Sequence, residues 1–190
     1  MCENGDSWQT LDRTVLYTNP WITVREDRVS QPDGSEAAWG IVEMKPGVSV
    51  LPIDDAGNVY LVRVFRYTIG RDSIEAIAGG IDDDEDPAVC ARRELKEEAG
   101  IEAIEIIPLG RTDQMTEVVV SPNWLFLSLG LSFGDRDREE TEQIDVVKVS
   151  LEQAVSWAMD GAITHAASLA LIFKTARLCG SGQTRTADAD

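Results

Sequence analysis

Residues Gly79 to Ile101 read GGIDDDEDPAVCARRELKEEAGI, and the second half of this stretch has the features of a helix. Asp86 suits the N-cap, Pro87 suits the first helical position, and Gly100 suits the left-handed residue that ends a helix. The pattern predicts a helix over Pro87–Ala99, a little more than three turns long. Apolar residues recur at spacings of three and four, which favours packing on a sheet. These residues are Ala88, Ala91, Leu95 and Ala99.

Three glutamates, Glu94, Glu97 and Glu98, lie beside this apolar stripe at positions i, i+3 and i+4. Like charges within one helical turn repel each other unless a cation lies among them. Magnesium is the natural candidate, because it prefers oxygen ligands and is commonly held by carboxylates together with substrate phosphates. The alternative is a solvated acidic face paired with the basic residues of the same helix. The flanking glycines favour the metal site.

This stretch resembles the signature of the Nudix hydrolases. The signature is Gly, five residues, Glu, seven residues, Arg-Glu, an aliphatic residue, any residue, Glu-Glu, any residue, Gly and an aliphatic residue. The chain matches each fixed position with Gly79, Glu85, Arg93, Glu94, Leu95, Glu97, Glu98, Gly100 and Ile101. The approach to the box, Ile74–Asp82, resembles that of ADP-ribose pyrophosphatases and related nucleotide-sugar hydrolases. Ile77 stands where that family often has proline.

The resemblance implies a fold and a metal site. The expected fold is α/β, the Nudix α/β/α sandwich with a mixed central sheet, plus a small N-terminal antiparallel β appendage. The expected cofactor is magnesium, with manganese as the alternative. Its expected ligands in the box are the carboxylates of Glu94, Glu97 and Glu98 and the carbonyl of Ala78.

Further roles within the box follow from the same resemblance. Glu97 and Arg93 are expected to take part in catalysis, with Arg93 orienting glutamates through an i,i+4 pair with Glu97. Gly79 is expected to let the loop fold tightly beside the metal. Glu85 is expected to brace the loop, and Gly100 to end the helix.

The composition restricts the classes of function. A chain of 190 residues with 43% hydrophobic content predicts one well-buried domain plus a small appendage. A net charge of -17 disfavours nucleic-acid binding through a basic surface. The N-terminus has no basic region, and no segment approaches the ~20 apolar residues of a membrane span, which predicts a soluble cytoplasmic protein.

Cysteine and histidine usage bears on the chemistry. Cys2, Cys90 and Cys179 show no paired metal-ligand spacing, which fits reduced thiols in the cytoplasm. The single histidine, His165, argues against a histidine metal site and against a histidine-dependent triad. A carboxylate is therefore the expected general base.

The N-terminal region, residues 1–45, is predicted to form a β hairpin. Residues 21–27 alternate as a strand does, residues 31–35 are a turn, and Ala37 to Met44 return as the partner. A hairpin is marginal alone. In the resembled pyrophosphatases such strands exchange with a second subunit, so a homodimer is expected. Trp21 or Trp39 is expected to line the interface or the nucleotide pocket, with plain packing as the alternative.

Two further strands are predicted from Val48 to Ile53 and from Val59 to Arg66, the second in the centre of a sheet. Arg66 at its end can bind a diphosphate with two donors. The resembled family has a substrate-binding arginine here and a glutamate that matches Glu75. The alternative is a surface salt bridge between the strand end and the following loop.

The segment after the box carries a candidate base. Strands are predicted over residues 102–107 and 117–129, the second interrupted at Ser121-Pro-Asn, and a charged loop over 133–143 precedes a strand from Ile144 to Val149. The loop resembles the one that supplies a late glutamate in these pyrophosphatases. Glu140 is the candidate base and Glu142 an additional metal ligand, with Glu139 as the rival.

The C-terminal part is predicted to contain two helices. Ser150 and Gln153 form a capping box for a helix that runs to Asp160. A second helix is predicted from Thr164 through Leu178, with His165 as a polar residue in its first turn. The domain is expected to span residues 46–180, followed by a disordered tail over 181–190.

The expected reaction is magnesium-dependent hydrolysis of the diphosphate linkage of ADP-ribose or another nucleoside diphosphate sugar. Its products are a nucleoside monophosphate and a sugar phosphate. One alternative is a hydrolase of nucleoside triphosphates or dinucleoside polyphosphates. Another is a catalytically silent nucleotide-sensing module, which usually lacks one or more box glutamates; none is missing here.

Overall fold

The structure, a computed structural model, describes residues 8–136 and 144–180. Within these ranges the chain forms eleven strands and three α-helices, and a 3-10 turn, Tyr67–Ile69, follows the fifth strand. The strands are β1 Gln9–Thr18, β2 Ile22–Ser30, β3 Glu36–Met44, β4 Gly47–Pro52, β5 Asn58–Arg66, β6 Arg71–Glu75, β7 Ile77–Gly80, β8 Ile101–Asp113, β9 Val119–Val120, β10 Pro122–Phe133 and β11 Ile144–Ser150. The helices are α1 Pro87–Ala99, α2 Leu151–Asp160 and α3 Ala166–Gly180.

The chain divides into two compact units. The N-terminal unit extends to Pro46 and also contains Asp113–Pro122. The main unit comprises Gly47–Thr112 and continues from Asn123. The sequence did not indicate that residues after β8 belong with the N-terminal strands.

The N-terminal unit is a four-stranded sheet in the order β1-β2-β3-β9. The predicted hairpin is confirmed, because β2 and β3 pair antiparallel and the intervening turn has the Gln31 N–H bonded to the Ser35 carbonyl. Gly34 in that turn has a φ of 80°, which favours glycine. The fourth strand, β9, is parallel to β3 and was not predicted.

The main unit contains two sheets, ordered β7-β4-β10-β8 and β11-β5-β6. The first is mixed, because β4 is parallel to β10 and antiparallel to β7. The second is antiparallel, and β5 is its central strand, as predicted. The chain passes from the second sheet to the first at one residue, Ala76, which lies between β6 and β7.

Alternating residues of β4, β5 and β10 supply two separate apolar cores. Val50, Val62 and Phe126 belong to the core that contains Leu95 of α1. Leu51, Leu61 and Leu125 belong to the core on α2 and α3. Because strand side chains alternate between faces, this pattern gives helix, sheet and helix layers.

The caps of α1 have the predicted residues. The Asp86 carboxylate accepts hydrogen bonds from the backbone N–H groups of Ala88 and Val89, at 2.8 and 3.3 Å. Gly100 has a φ of 64° and ends the helix in the left-handed conformation. The carbonyl of Gly100 accepts a hydrogen bond of 2.9 Å from the Gly134 N–H. These contacts fix both ends of the helix that carries the box glutamates.

The last helix differs from the prediction by two residues at each end. It runs over Ala166–Gly180 rather than from Thr164 through Leu178. The carbonyl of His165 accepts a hydrogen bond of 3.0 Å from the Leu169 N–H, so His165 precedes the first turn. The expected tail over 181–190 lies outside the described residues. In the part of the chain that the structure describes, no helix is long and apolar enough to cross a membrane.

Candidate functional site

Strand β7 lies against a box glutamate. Gly79 of β7 pairs with Val48 of β4, and a Cβ on Gly79 would overlap the carboxylate of Glu94. The Glu94 side chain is buried, with 10% of its surface exposed. Only a glycine at position 79 allows this carboxylate to lie against β7.

Arg93 is the cation at the centre of the box. Its Nε and Nη2 atoms donate to the two carboxylate oxygens of Glu85, both at 2.9 Å. Its Nη1 donates to Glu94 at 2.7 Å and to Glu97 at 3.0 Å. Its Nη2 also donates to the Gly80 carbonyl at 3.0 Å. One guanidinium therefore connects the loop, the strand β7 and two of the box glutamates.

These contacts shift the protonation equilibria of the box. The hydrogen bonds from Arg93 and from the backbone N–H of Asp82 lower the pKa of Glu85 to about 2. The bond to Glu85 also raises the pKa of Arg93 above its ordinary value. Burial raises the pKa of the Cys90 thiol to about 12. The loop carboxylate is therefore ionised at neutral pH, and the buried thiol is not a nucleophile.

The remaining box residues meet at β7. The backbone N–H of Ala78 donates to Glu98 at 3.3 Å, and Ala78 pairs with Ser49 of β4. Helix α1 and strand β7 are thus connected through Glu98 and Ala78, which are two of the predicted metal ligands.

The donor set suits a hard divalent cation. Three carboxylates, those of Glu85, Glu94 and Glu97, bond to Arg93, and a fourth, that of Glu98, lies at the Ala78 N–H. Carboxylate and carbonyl oxygens are the ligands that Mg²⁺ and Mn²⁺ prefer. In residues 8–136 and 144–180 no group of three or more Asp, Glu, His or Cys side chains has the arrangement needed to hold a metal ion without further ligands. Substrate phosphate oxygens and waters commonly complete a magnesium site of this kind.

Arg66 and Glu75 form a salt bridge with two hydrogen bonds. Arg66 Nε donates to Glu75 at 3.1 Å, and Arg66 Nη2 donates to it at 2.6 Å. Burial of Glu75 favours the neutral acid, but the hydrogen bonds from Arg66 and Ser73 and the charges of His165 and Arg66 together outweigh it, so the pKa of Glu75 is below its ordinary value. The Glu75 side chain is 6% exposed and the Arg66 side chain 44%. The carboxylate is fixed in the interior, and the guanidinium retains an exposed surface.

The two tryptophans of the prediction lie in the N-terminal unit. The Trp39 ring contacts the Trp8 ring edge to face, with centroids 5.5 Å apart. Both rings line an apolar groove of about 440 Å³, together with Ile41 and Val118. Trp21 does not line this groove, and 71% of its surface is exposed.

Glu139, Glu140 and Glu142 all lie outside the described residues, and their roles stay predictions.

One polar cluster of the main unit was not predicted. His165 Nδ1 lies 2.8 Å from the hydroxyl of Ser168, and that hydroxyl accepts a hydrogen bond of 2.7 Å from the Ala76 N–H. His165 Nδ1 is also 3.8 Å from Glu75. The sequence signal is weak: a serine between apolar residues on the buried face of α3.

The family of the chain follows from comparison with known proteins. Residues 43–171 match the NUDIX domain, and residues 8–42 match the nucleoside diphosphate sugar hydrolase N-terminal domain. The first match covers more than half of the chain, so the chain belongs to the Nudix family and is a Nudix hydrolase. Nudix hydrolases generally use divalent metal ions, in agreement with the donor set of the box.

The similar proteins include ADP-ribose pyrophosphatases. The chain is 29% identical to that of Bacillus subtilis over 155 residues, which cover 77% of this chain and 80% of the relative. It is 27% identical to that of Mycobacterium tuberculosis over 187 residues, which cover 96% of this chain and 90% of the relative. The crystal structure of an ADP compounds hydrolase superposes with a TM-score of 0.84 at 20% identity, over 96% of this chain and 100% of that one. The predicted α/β fold class is confirmed.

The Glu85–Arg93 contact predicts an acid-sensitive stability. The pKa of Glu85 falls from an ordinary 4.5 to about 2 on folding, so the contact stabilises the fold above pH 4.5 and this contribution is lost as pH falls towards 2. Glu85→Gln is expected to lower the free energy of unfolding at pH 7 by about 1.5–3 kcal/mol, the usual effect of hydrogen bonds to charged groups. Urea unfolding at pH 7 and pH 3 measures the free energy of unfolding of both proteins. The difference in this free energy between Glu85→Gln and the unchanged protein should be smaller at pH 3 than at pH 7.

Glu102→Gln is the matched control. Glu102 pairs with Lys96 at 3.2 Å, but the two side chains are 66% and 52% exposed. Its loss is expected to cost under about 1 kcal/mol, because solvent weakens exposed ion pairs. Equal effects of the two substitutions at both pH values would contradict the assignment.

Proposed function

We propose that this Nudix hydrolase cleaves the diphosphate linkage of ADP-ribose or a related nucleoside diphosphate sugar, giving a nucleoside monophosphate and a sugar phosphate. One observation carries the substrate class: the similarity to an ADP-ribose pyrophosphatase extends over 96% of this chain and 90% of the relative, and so includes both units. The match of residues 8–42 to the N-terminal domain of nucleoside diphosphate sugar hydrolases supports the same class.

The proposed cofactor is magnesium, with manganese as a substitute. The proposed ligands are the carboxylates of Glu94, Glu97 and Glu98, the Ala78 carbonyl, and Glu142 from outside the described residues. A divalent cation held there polarises phosphate oxygens and neutralises the charge that develops as the anhydride bond breaks. The charge balance around Arg93 supports this proposal, since one guanidinium contacts three carboxylates.

Arg93 and Arg66 have different proposed roles. Arg93 holds Glu94 and Glu97 in fixed orientations, so that both carboxylates keep their positions when substrate enters. Arg66 binds the diphosphate through the exposed surface of its guanidinium. The two hydrogen bonds to the buried Glu75 carboxylate fix the plane of that guanidinium. A guanidinium that is already oriented loses less conformational entropy when an anion binds.

The proposed nucleophile is water and the proposed base is Glu140, with Glu139 as the alternative. The base accepts a proton from the water as its oxygen bonds to phosphorus. The bond from phosphorus to the bridging oxygen breaks, and the second phosphate leaves with the electron pair. A carboxylate base agrees with the position of His165, the one histidine in the sequence, whose Nδ1 lies 2.8 Å from the Ser168 hydroxyl.

The nucleotide base is proposed to stack on an aromatic ring of the N-terminal unit. Trp39 is the better candidate, because it lines the apolar groove with Trp8. Trp21 remains a candidate for a subunit interface through its exposed ring.

The cytoplasmic location stays a prediction.

A homodimer through the N-terminal strands is proposed from the exposed apolar residues of β1. This strand is at the edge of its sheet, and Val15, Leu16 and Tyr17 are 57%, 62% and 54% exposed. Adjacent apolar residues on an edge strand favour pairing with another chain.

Light scattering should find a dimer, and Leu16→Lys should shift it to a monomer. Met159→Lys on α2, where the residue is 74% exposed, should leave the mass unchanged. A monomer before any substitution would refute the dimer.

The intact box argues against a silent sensing module, since all of its glutamates are present. Triphosphates and dinucleoside polyphosphates remain the alternative substrates. They share the anhydride chemistry and differ in the number of phosphates.

A substrate panel tests the proposed function. The full chain with magnesium is expected to hydrolyse ADP-ribose faster than GDP-mannose, UDP-glucose, a dinucleoside polyphosphate or a nucleoside triphosphate. Glu97→Gln, run on the same panel, should lower kcat by about 100-fold or more, because a charged ligand at the reacting phosphates is lost. Glu102→Gln should retain full activity, which separates the site from general surface charge.

Hydrolysis of triphosphates alone would overturn the substrate class. Binding of all nucleotides without turnover would support the sensing module instead.

A further inference from the structure

The polar cluster of His165 and Ser168 lies where the chain passes between the two sheets of the main unit. Glu75 is the last residue of β6, which pairs with β5, and Ile77 is the first residue of β7, which pairs with β4. Ala76 lies between them and belongs to neither strand. Its N–H donates to the Ser168 hydroxyl at 2.7 Å, so a side chain of α3 takes the place of a strand partner.

The Ser168 hydroxyl is in turn held by His165. Ser168 is fully buried, and its oxygen lies 2.8 Å from His165 Nδ1. The hydroxyl has two lone pairs and one hydrogen, so it accepts from Ala76 and also forms a second hydrogen bond with His165 Nδ1. Burial lowers the pKa of His165, which favours the neutral ring. The two contacts together hold the hydroxyl in place.

The residues on either side of Ala76 are those of the proposed site. The preceding residue, Glu75, orients Arg66 through two hydrogen bonds. Among the following residues, Ala78 donates to Glu98 and Gly80 accepts from Arg93. A shift of the backbone at Ala76 would therefore move the diphosphate-binding arginine relative to the box.

We infer that Ser168, fixed by His165, is a positioning residue: it anchors Ala76 and so sets the spacing between the Arg66–Glu75 pair and the Nudix box. This inference rests on the proposed function for its kinetic consequence. The anchoring itself is a property of the fold and is measured separately.

The kinetic test compares variants of the full chain on ADP-ribose with magnesium. Ser168→Ala and His165→Ala are expected to lower kcat by about 10-fold or more, since small misplacements of reacting groups cost that much. His165→Asn should restore most of the loss, because the Asn side chain places a hydrogen-bonding atom where Nδ1 lies. The double variant should be no slower than Ser168→Ala, because both substitutions break one connection.

Thr175→Val is the matched control. Thr175 lies on the same helix, is fully buried, and its hydroxyl has no hydrogen-bond partner in the described part of the chain. Removal of this hydroxyl should leave kcat unchanged. If Thr175→Val slows the enzyme as much as Ser168→Ala does, or if Ser168→Ala lowers only the melting temperature and not kcat, the positioning role is wrong.

Amide hydrogen exchange tests the anchor without any substrate. Exchange of the segment around Ala76 should accelerate about 10-fold or more in Ser168→Ala and His165→Ala, and remain unchanged in Thr175→Val and His165→Asn. Unchanged exchange in Ser168→Ala would overturn the inference even in an active enzyme. Accelerated exchange in a protein that hydrolyses none of the panel would support the anchor and overturn the proposed function alone.

Discussion

The contact of Arg93 with three carboxylates is the interaction on which the site depends. Glu85, Glu94 and Glu97 all bond to this one guanidinium. The Glu85 contact stabilises the loop before α1. The other two contacts hold the carboxylates of Glu94 and Glu97 close together, where their negative charges repel each other. The fold therefore keeps acidic groups close together around one guanidinium. In the proposed function a divalent cation binds beside them, together with substrate phosphates.

Backbone geometry brings these charges together. Gly79 has no side chain, which lets the Glu94 carboxylate lie against β7. Gly100 ends α1 and bonds to Gly134. Ala76, one residue before β7, donates its N–H to the hydroxyl of Ser168 on α3. The helix of the box and the strand beside it are thus each fixed at a defined point, and the position of the box carboxylates follows from both.

Much of this arrangement could be predicted from residues close in sequence. The caps Asp86 and Gly100 predicted α1 correctly because capping is a local effect, and the turn around Gly34 predicted the β2–β3 hairpin for the same reason. The parallel pairing of β9 with β3 could not be predicted, because it joins Val119 to Val42, two residues that are far apart in the sequence. The Ser168 contact was missed because its partner Ala76 is 92 residues away. Glu140 lies outside the described residues, so its role stays a prediction.

The central claim is that the box carboxylates bind a divalent cation, and Mn²⁺ binding followed by electron paramagnetic resonance tests it most directly. With the full chain and no nucleotide, Glu98→Gln should weaken binding by about 10-fold or more, because a ligand is lost. Glu102→Gln removes an equal charge from the protein surface and should leave the affinity unchanged, which separates the site from the general attraction of a chain with a net charge of -17. Equal affinities for the unchanged protein and Glu98→Gln would contradict the account.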